Sequence, residues 1–360
     1  MSGIMLMLLT ACSSSDTKEE PQPTILTIYV YSPDRPVITR ANVGEVDAST
    51  EENKVTQLQV WIYETNSGKK VGYLYTKETA TLNGGEGAIY QIPVPDDFAQ
   101  NKPHVDVYVM ANVTSGNCGI TSALTENTSR ANLLANAKII SSHYGLSTLT
   151  TAVPGDGLPM AGKLLDQPVV GDAPVLRIGT TSNIAIVPLT RAVSKLRFFF
   201  ANTTGSPTLS ITHITLNAQM IPNEEYLFPQ SQALSYNSSE AELLSTDIAE
   251  VATNDKPADY DYNNQGAQEY ENLLNDANLT QTSPYYLRES DKQLQGTISY
   301  SIGGTQQTPV TFKMKDLGDF LRNHSWIVYA YYEGLSGMQV VTVDVTPWEE
   351  QSADHPVYNW

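Results

Sequence analysis

Apolar and polar residues alternate in several short stretches of this chain, the pattern of strands that bury one face. The clearest stretch is residues 55–63, where Leu58, Val60 and Ile62 fall on one side. The turn sequence Asn66-Ser67-Gly68 then predicts a hairpin with residues 71–75. By the same criterion, strands are predicted over residues 88–94, 105–113, 190–200, 209–218, 294–302, 310–315, 326–333 and 338–345.

Helices are few in this pattern. Residues 130–139 are predicted to be helical, because Asn127, Thr128 and Ser129 supply capping side chains directly before them. The sequence Leu-Pro-Met-Ala-Gly at 158–162 is predicted to form a fixed loop. Residues 230–283 are rich in Asn, Asp, Ser and Gln and are predicted to be a surface excursion with little regular structure, apart from a helix within 269–278.

Composition favours the same architecture. The 360 residues include 20 Tyr, 23 Gly and 20 Pro; aromatic residues favour strands, and Gly and Pro favour the turns between them. We therefore expect a mainly β protein with two β-sandwich domains, transthyretin-like or Greek-key in type, and a few short helices. The predicted domains are residues 41–190 and 191–360, joined within residues 185–205.

The net charge of the chain argues against one class of binding partner. With 39 Asp and Glu against 21 Lys and Arg, the formal net charge is −18. Binding of nucleic acid depends on clustered cations that displace counterions, so no nucleic-acid partner is expected. The acidity fits a soluble surface.

The first forty residues have an order of their own. An apolar run from Ile4 to Leu9 leads into Leu9-Thr10-Ala11-Cys12 and then a polar tract, an arrangement that resembles a bacterial lipoprotein signal. Residues 1–12 are therefore predicted to be a signal with a lipidated Cys12, which would hold the chain on a membrane by acyl chains. Cys118 would then have no partner, so no disulfide is expected.

A strand and a polar loop follow this signal. Residues 25–31 alternate as a strand, with Ile25, Leu26, Ile28 and Val30 as the apolar side chains that it presents to a sheet. The loop after it contains Arg40-Ala41. A protease that cuts there would separate the strand from the rest of the chain, so residues 13–40 are interpreted as a propeptide.

Two other arginines are weaker cleavage sites. Arg35 is followed by Pro36, which blocks most trypsin-like cleavage, whereas Arg40 is followed by the small residue Ala41. Arg191-Ala192 repeats the dipeptide, but it lies in a predicted strand that a protease cannot enter.

Several short motifs in one order resemble the fimbrillin family, the type V pilins of anaerobic Gram-negative bacteria. They are the Arg40-Ala41 junction after an apolar strand, the strand 107–112 ending in Ala111-Asn112, Leu158-Pro159-Met160-Ala161-Gly162, Arg191-Ala192-Val193-Ser194-Lys195, Tyr285-Tyr286-Leu287-Arg288-Glu289, Leu321-Arg322-Asn323-His324-Ser325-Trp326, and Trp360. Ser194 stands where the family usually has Ala, and Arg288 where it has Pro. The motifs extend through most of the chain.

The resemblance implies a structural subunit of surface fimbriae that mediate adhesion. The precursor would travel to the outer membrane as a lipoprotein, and an arginine-specific protease would cut after Arg40. The strand would leave, and the C-terminal strand of an identical or related subunit would take its place in the extracellular fimbrium. Host or bacterial surface receptors would be the adhesion partners.

The sequence leaves the inserting strand open. Val341, Val343 and Val345 alternate in one candidate, and Val357 and Trp360 belong to a second one after Pro347-Trp348. The first candidate has a simpler alternative role, which is to complete the second domain.

Residues that would carry chemistry are sparse. The five histidines are scattered without the spacing of a metal site, and no nucleophile elbow, phosphate loop or dinucleotide fingerprint occurs. We expect no enzyme and no cofactor. Two alternatives to a stalk subunit remain: an accessory tip or anchor subunit of the same fimbriae, and a glycan-binding surface lipoprotein.

Overall fold

The computed structural model describes residues 23–31, 51–83, 87–120, 124–230, 233–244, 247–254, 279–314 and 320–345. Within these ranges the chain is built mainly of β-strands, with a few short helices. The prediction of a mainly β fold is confirmed.

The first half contains eleven strands and four short helices among its described residues. The strands are Ile25–Tyr31 (β1), Leu58–Glu64 (β2), Lys70–Thr76 (β3), Ala88–Pro93 (β4), Val105–Ala111 (β5), Lys138–Ile139 (β6), Met160–Gln167 (β7), Val169–Asp172 (β8), Val175–Ile178 (β9), Ile186–Pro188 (β10) and Thr190–Arg191 (β11). The helices are Ala80–Asn83 (α1), Asp96–Asn101 (α2), Ser115–Cys118 (α3) and Arg130–Asn136 (α4).

Two five-stranded sheets form the first sandwich. One sheet holds β1 between β4 on one edge and β9 and β10 on the other, with β8 beyond β9. The second sheet has the order β11-β7-β5-β2-β3. Their facing side chains make one apolar core, which includes Leu26, Val60, Val107 and Leu176.

The second half contains the remaining described strands. They are Val193–Asn202 (β12), Leu209–Leu216 (β13), Glu225–Tyr226 (β14), Ala241–Leu244 (β15), Thr280–Gln281 (β16), Tyr285–Arg288 (β17), Gln295–Ile302 (β18), Thr305–Gln306 (β19), Val310–Lys313 (β20), Ser325–Tyr332 (β21) and Met338–Val345 (β22). A short 3₁₀ turn at Gly334–Ser336 links β21 to β22.

These strands form a second sandwich. One sheet has the order β16-β12-β21-β22 with β17 also on β12, and the other has the order β15-β13-β18-β19 with β20 on β18. An aromatic core that includes Phe198, Phe200, Phe312 and Trp326 lies between them. The chain passes from the first sandwich to the second at Ala192, because β11 still pairs with β7 and β12 begins at Val193. The predicted division at 190/191 lies beside this crossing.

Three sequence predictions need comment. Helix α4 has the predicted cap, since the Ser129 hydroxyl accepts a hydrogen bond from the Asn132 N–H, but it ends at Asn136. The predicted loop 158–162 is partly wrong, because Met160 already begins β7. Within 230–283, β15 and β16 form, while the expected helix at 269–278 lies outside the described residues.

Candidate functional site: the slot filled by the first strand

Strand β1 is paired along both of its edges. On one edge it runs antiparallel to β4, with a register from Ile25 opposite Pro93 to Val30 opposite Ala88. On the other edge it runs parallel to β9 over residues 25–27 and to β10 over residues 29–31. We call the position between these walls the β1 slot.

The side chains of β1 alternate between the core and the outer face. Leu26, Ile28 and Val30 are completely or almost completely buried in the core of the first sandwich. Ile25, expected to be a fourth core residue, lies on the outer face with Thr27, Tyr29 and Tyr31 and is only half-buried. Three apolar side chains at about 1.5–3 kcal/mol each give an upper value of about 5–9 kcal/mol for the burial that β1 contributes.

The two ends of the slot have different surroundings. At the end that we call the outer pole, the Val94 N–H donates to the Thr24 carbonyl at 2.9 Å, and the Thr24 hydroxyl donates to Asp96 Oδ1 at 3.2 Å. The Ile25 N–H donates to the Pro174 carbonyl there, at 2.8 Å. At the other end, which we call the junction end, the Leu189 N–H donates to the Tyr31 carbonyl at 2.9 Å.

The described part of the chain resumes at residue 51. Its first residues are held in place by an ion pair and hydrogen bonds. The Glu52 carboxylate is buried, lies 2.9 Å from the Lys195 ammonium and accepts a hydrogen bond from the Tyr286 hydroxyl. The Arg191 guanidinium donates to the Glu52 carbonyl at 3.3 Å and to the Asn53 side chain. Lys195 and Tyr286 belong to the second sandwich, so residues 52–53 are held independently of β1.

Two motif asparagines lie around this same junction. Asn112 and Asn323 have φ values of 59° and 57°, a left-handed conformation that asparagine tolerates better than most residues. The Asn112 amide donates to the Lys54 and Leu158 carbonyls at 2.6 and 2.9 Å. Asn323 Oδ1 accepts from Arg191 at 3.1 Å. These motifs therefore serve the architecture that joins the two sandwiches.

Gly162 of the Leu-Pro-Met-Ala-Gly motif also has a structural reason. A Cβ atom at this position would lie 2.1 Å from the Pro188 carbonyl oxygen. Only glycine lets β7 come this close to the chain that leaves the slot wall.

Arg288 and Arg322 hold the segment around β14 against the second sandwich. The Arg288 guanidinium donates to the Pro222 carbonyl at 2.9 and 2.6 Å. The Arg322 guanidinium lies 2.8 Å from Glu225 Oε1 and also binds the Glu289 carboxylate. The single charge of Arg322 is therefore shared between the buried carboxyl group of Glu225 and the partly buried one of Glu289.

The two carboxyl groups respond differently to this arrangement. Burial raises the pKa of Glu225 to about 8, although the charge of Arg322 opposes the change. Burial would also raise the pKa of Glu289, but the charge and hydrogen bonds of Arg322 outweigh it and hold that pKa below its usual value. Near neutral pH, Glu289 therefore carries the charge and Glu225 keeps a proton.

This difference predicts a pH dependence of stability. Because Glu225 binds its proton more tightly when folded, its contribution to the free energy of unfolding falls as pH rises from about 4.5 to about 8 and is flat above that. Glu225→Gln should remove this part of the decrease in the free energy of unfolding with pH. The measurement is urea unfolding of both proteins between pH 5 and 9, and equal slopes would contradict the assignment.

The remaining predicted site residues lie away from the slot. Cys12, Arg40, Ala41, Val357 and Trp360 lie outside the described residues. Val341, Val343 and Val345 lie on β22, whose backbone pairs antiparallel with β21 from Met338 opposite Tyr332 to Val345 opposite Ser325. In this structure β22 completes a sheet of the second sandwich.

The walls of the slot were only half predicted. Strand β4 was expected, but β8, β9 and β10 were not. Their signal is short, since it consists of apolar pairs such as Val169-Val170 and Val175-Leu176 between turn residues. Strands of three or four residues are too short to establish an alternating period.

A comparison with known proteins matches the part of the chain that contains β1 and the β4 wall of its slot. Residues 26–174 match the family model of the major fimbrial subunit protein (FimA). The match covers less than half of the chain, and over this region the chain is similar to the fimbrial subunit family. The match begins at the second residue of β1 and includes β4, so β1 belongs to the family's own domain. No curated protein matches the sequence significantly.

Solved structures share the fold of this chain over most of its length. The tip fimbrial protein Mfa3 from Porphyromonas gingivalis, with a C-terminal truncation, is 13% identical, with a TM-score of 0.50, and the match covers 90% of this chain and 100% of that one. A candidate cell adhesion protein from Parabacteroides distasonis is also 13% identical, with a TM-score of 0.53 and coverage of 90% and 98%. At this identity the likeness concerns the fold.

The described residues contain neither a membrane-spanning helix nor a metal-binding cluster. No helix in these ranges has the length and apolar character required to cross a membrane. No group of three or more His, Cys, Asp or Glu side chains is placed to hold a metal ion in the same ranges. The matched family model describes a subunit of fimbriae.

Proposed function

We propose that this protein is a fimbrial stalk subunit that polymerises by exchanging β1 for a strand of another subunit. The observation that carries the proposal is that β1 is paired along both edges, contributes three core side chains, and precedes a separately fastened segment at Glu52. A cut between β1 and Glu52 therefore severs the covalent link of β1 and leaves the rest of the fold in place.

The proposed sequence of events begins with a lipid-anchored precursor in the outer membrane, attached through Cys12. An arginine-specific protease cuts between Arg40 and Ala41. When β1 leaves, β4 on one side and β9 and β10 on the other lose a shared partner, and their unpaired N–H and C=O groups form a template for a new strand. A replacement strand can then bury its own apolar side chains where those of β1 lay and gain a similar stabilisation.

The contact that results is heterologous, since a strand of one copy enters the slot of the next. Such a contact does not close on itself and builds a filament. The mature subunits would thus leave the membrane for an extracellular fimbrium that binds host or bacterial surface receptors.

Two C-terminal segments can supply the strand. Val341, Val343 and Val345 repeat the spacing of Leu26, Ile28 and Val30, but their strand must first separate from β21. The other candidate, the segment with Val357 and Trp360, lies outside the described residues.

The direct test uses full-length protein with Cys12→Ser, treated with an arginine-specific protease. We expect mass spectrometry to find a new N-terminus at Ala41, and an unboiled gel to show a ladder of SDS-resistant multimers. Arg40→Gln should abolish both results, whereas the matched variant Arg35→Gln should preserve them.

Two results would contradict the stalk function. Resistance at Arg40 would favour an anchor subunit that keeps its strand and lipid. Cleavage that leaves a stable monomer with affinity for carbohydrate would favour a glycan-binding lipoprotein.

A further inference from the structure

We infer that the β1 slot admits the strand of a second copy from the outer pole only, and in the direction in which β1 runs. This inference rests on the proposed strand exchange and adds a polarity to it. It follows from what surrounds each end of the slot.

The outer pole is open to solvent. Helix α2 begins there at Asp96, and Asp97 makes an exposed ion pair with Lys69 at 3.3 Å. The other wall ends in the turn at Asp172, whose side chain is 97% exposed and lies 2.9 Å from the Lys102 ammonium. A second copy can approach the slot from this side.

The junction end is covered by the rest of the same chain. Beyond the Tyr31–Leu189 hydrogen bond, β11 continues to Arg191, which is completely buried and is hydrogen-bonded to Asn323 of the second sandwich. Glu52 and Lys195 form their buried ion pair in the same region. An incoming strand has no entry here.

Access fixes the direction of the strand. β1 runs from the outer pole at Ile25 to the junction end at Tyr31. An inserting segment from the C-terminal part of another copy is attached to that copy by its N-terminal side, which must stay outside the slot. The strand therefore enters with its C-terminal side first and runs as β1 does, antiparallel to β4 and parallel to β9 and β10.

Backbone pairing alone would not impose this direction. The Val94 N–H and the Pro174 carbonyl both face the slot, so each wall presents hydrogen-bonding groups from alternate residues. A reversed strand can use the same groups, because a wall strand can pair in parallel or antiparallel fashion. The polarity is thus a consequence of access and can be tested separately from strand exchange.

The polarity also aligns successive copies. Strand β21 runs from Ser325, next to the junction, to Tyr332, and the Gly334–Ser336 turn that starts β22 lies at the far end of the second sandwich. If β22 is the donor and this end meets the outer pole of the next copy, subunits stack end to end. Leu335, a fully exposed apolar residue of this turn, would lie at the contact.

The test determines the order of contacts along one wall. Pro93 and Ile89 on β4 are exposed and lie opposite Ile25 and Tyr29 of β1. Acceptor protein with Pro93→Cys or Ile89→Cys is mixed, after cleavage, with donor protein that carries single cysteine substitutions across residues 339–345 and 353–360. All proteins carry Cys12→Ser, and intermolecular disulfides are mapped on non-reducing gels and by mass spectrometry.

The expected result is that the donor position joined to the Pro93 variant precedes the one joined to the Ile89 variant by about four residues, since Ile25 and Tyr29 are separated by that interval. The opposite order would overturn the polarity and leave strand exchange intact. Absence of every disulfide in fibres that still form a ladder would show that the slot is not the acceptor, and absence of the ladder would refute the proposed function itself.

A bulky label tests independently from which end of the slot the donor strand enters. A polyethylene glycol maleimide on Asp172→Cys, at the outer pole, should suppress the ladder without affecting cleavage. The same label on Lys77→Cys, which follows the junction-side end of β3, should leave the ladder unchanged. Equal ladders from the two labelled proteins would overturn entry at the outer pole.

Discussion

Oxidised protein that carries Thr27→Cys and Gln91→Cys is expected to be cut after Arg40 and yet to remain monomeric, and to assemble once a reductant is added. Thr27 lies directly opposite Gln91 in the β1–β4 pair. The Thr24 carbonyl accepts from the Val94 N–H, so even-numbered residues of β1 form the hydrogen-bonded pairs. Thr27 therefore belongs to a non-hydrogen-bonded pair.

Such a pair suits a disulfide. Its Cα atoms lie about 4.5 Å apart, within the range of about 4.4–6.8 Å that disulfides span. Both side chains point away from the core, where Thr27 is half-buried and Gln91 is exposed, so the substitutions leave the packing of the sandwich intact. The protein also carries Cys12→Ser, and Cys118 does not compete, since its side chain is fully buried and burial raises the pKa of its thiol.

The experiment separates cleavage from release. Non-reducing gels should show the two fragments joined and no ladder, and reducing conditions should free residues 13–40 and start assembly. Thr27→Ser with Gln91→Ser is the matched control and should assemble with or without reductant. A ladder from the oxidised, cross-linked protein would refute the requirement that β1 leave its slot.

The second large effect compares a substitution on β1, which the proposed exchange removes, with one on β4, which it retains. Ile28 on β1 and Ile92 on β4 are both essentially buried in the same core. Ile28→Ala and Ile92→Ala should each lower the free energy of unfolding of the precursor by about 2–5 kcal/mol, because both remove buried methyl groups and leave a cavity. Urea unfolding of uncleaved protein measures this loss.

The two variants should differ once fibres have formed. In the proposed exchange Ile28 leaves with the propeptide, so fibres from Ile28→Ala should dissociate on heating in SDS at the same temperature as the unsubstituted fibres. Ile92 remains in the slot wall, so fibres from Ile92→Ala should dissociate at a lower temperature. Fibres that Ile28→Ala weakens as much as Ile92→Ala would mean that β1 is retained in the polymer.

Local features of the fold followed from the sequence because they depend on neighbouring residues. The alternation in β1, β2 and β18 predicted strands close to those observed, and Ser129 marked the start of α4. The asparagines of Ala111-Asn112 and Arg322-Asn323 stood out as a motif, and the structure supplies their reason, a left-handed backbone closed by side-chain hydrogen bonds.

Other features depend on segments far apart in the chain. Ile25 was grouped with the core residues of β1, but its face is set by the register against β4 and β9, and this register places it outside. Met160 was assigned to a loop because of Pro159 and Gly162, yet pairing with β5 extends a strand across it. Propensity over five residues cannot outweigh such tertiary pairing.

The sequence by itself predicted a strand at residues 25–31, between a predicted lipid anchor and Arg40-Ala41, and a mainly β chain. Only the tertiary structure decided that this strand occupies the interior of a sheet, which residues form the two walls of its slot, and which end is open. Alternation is a property of consecutive residues and can be read along the chain. The walls come from residues 88–93 and 175–188, and their positions are set by packing in three dimensions.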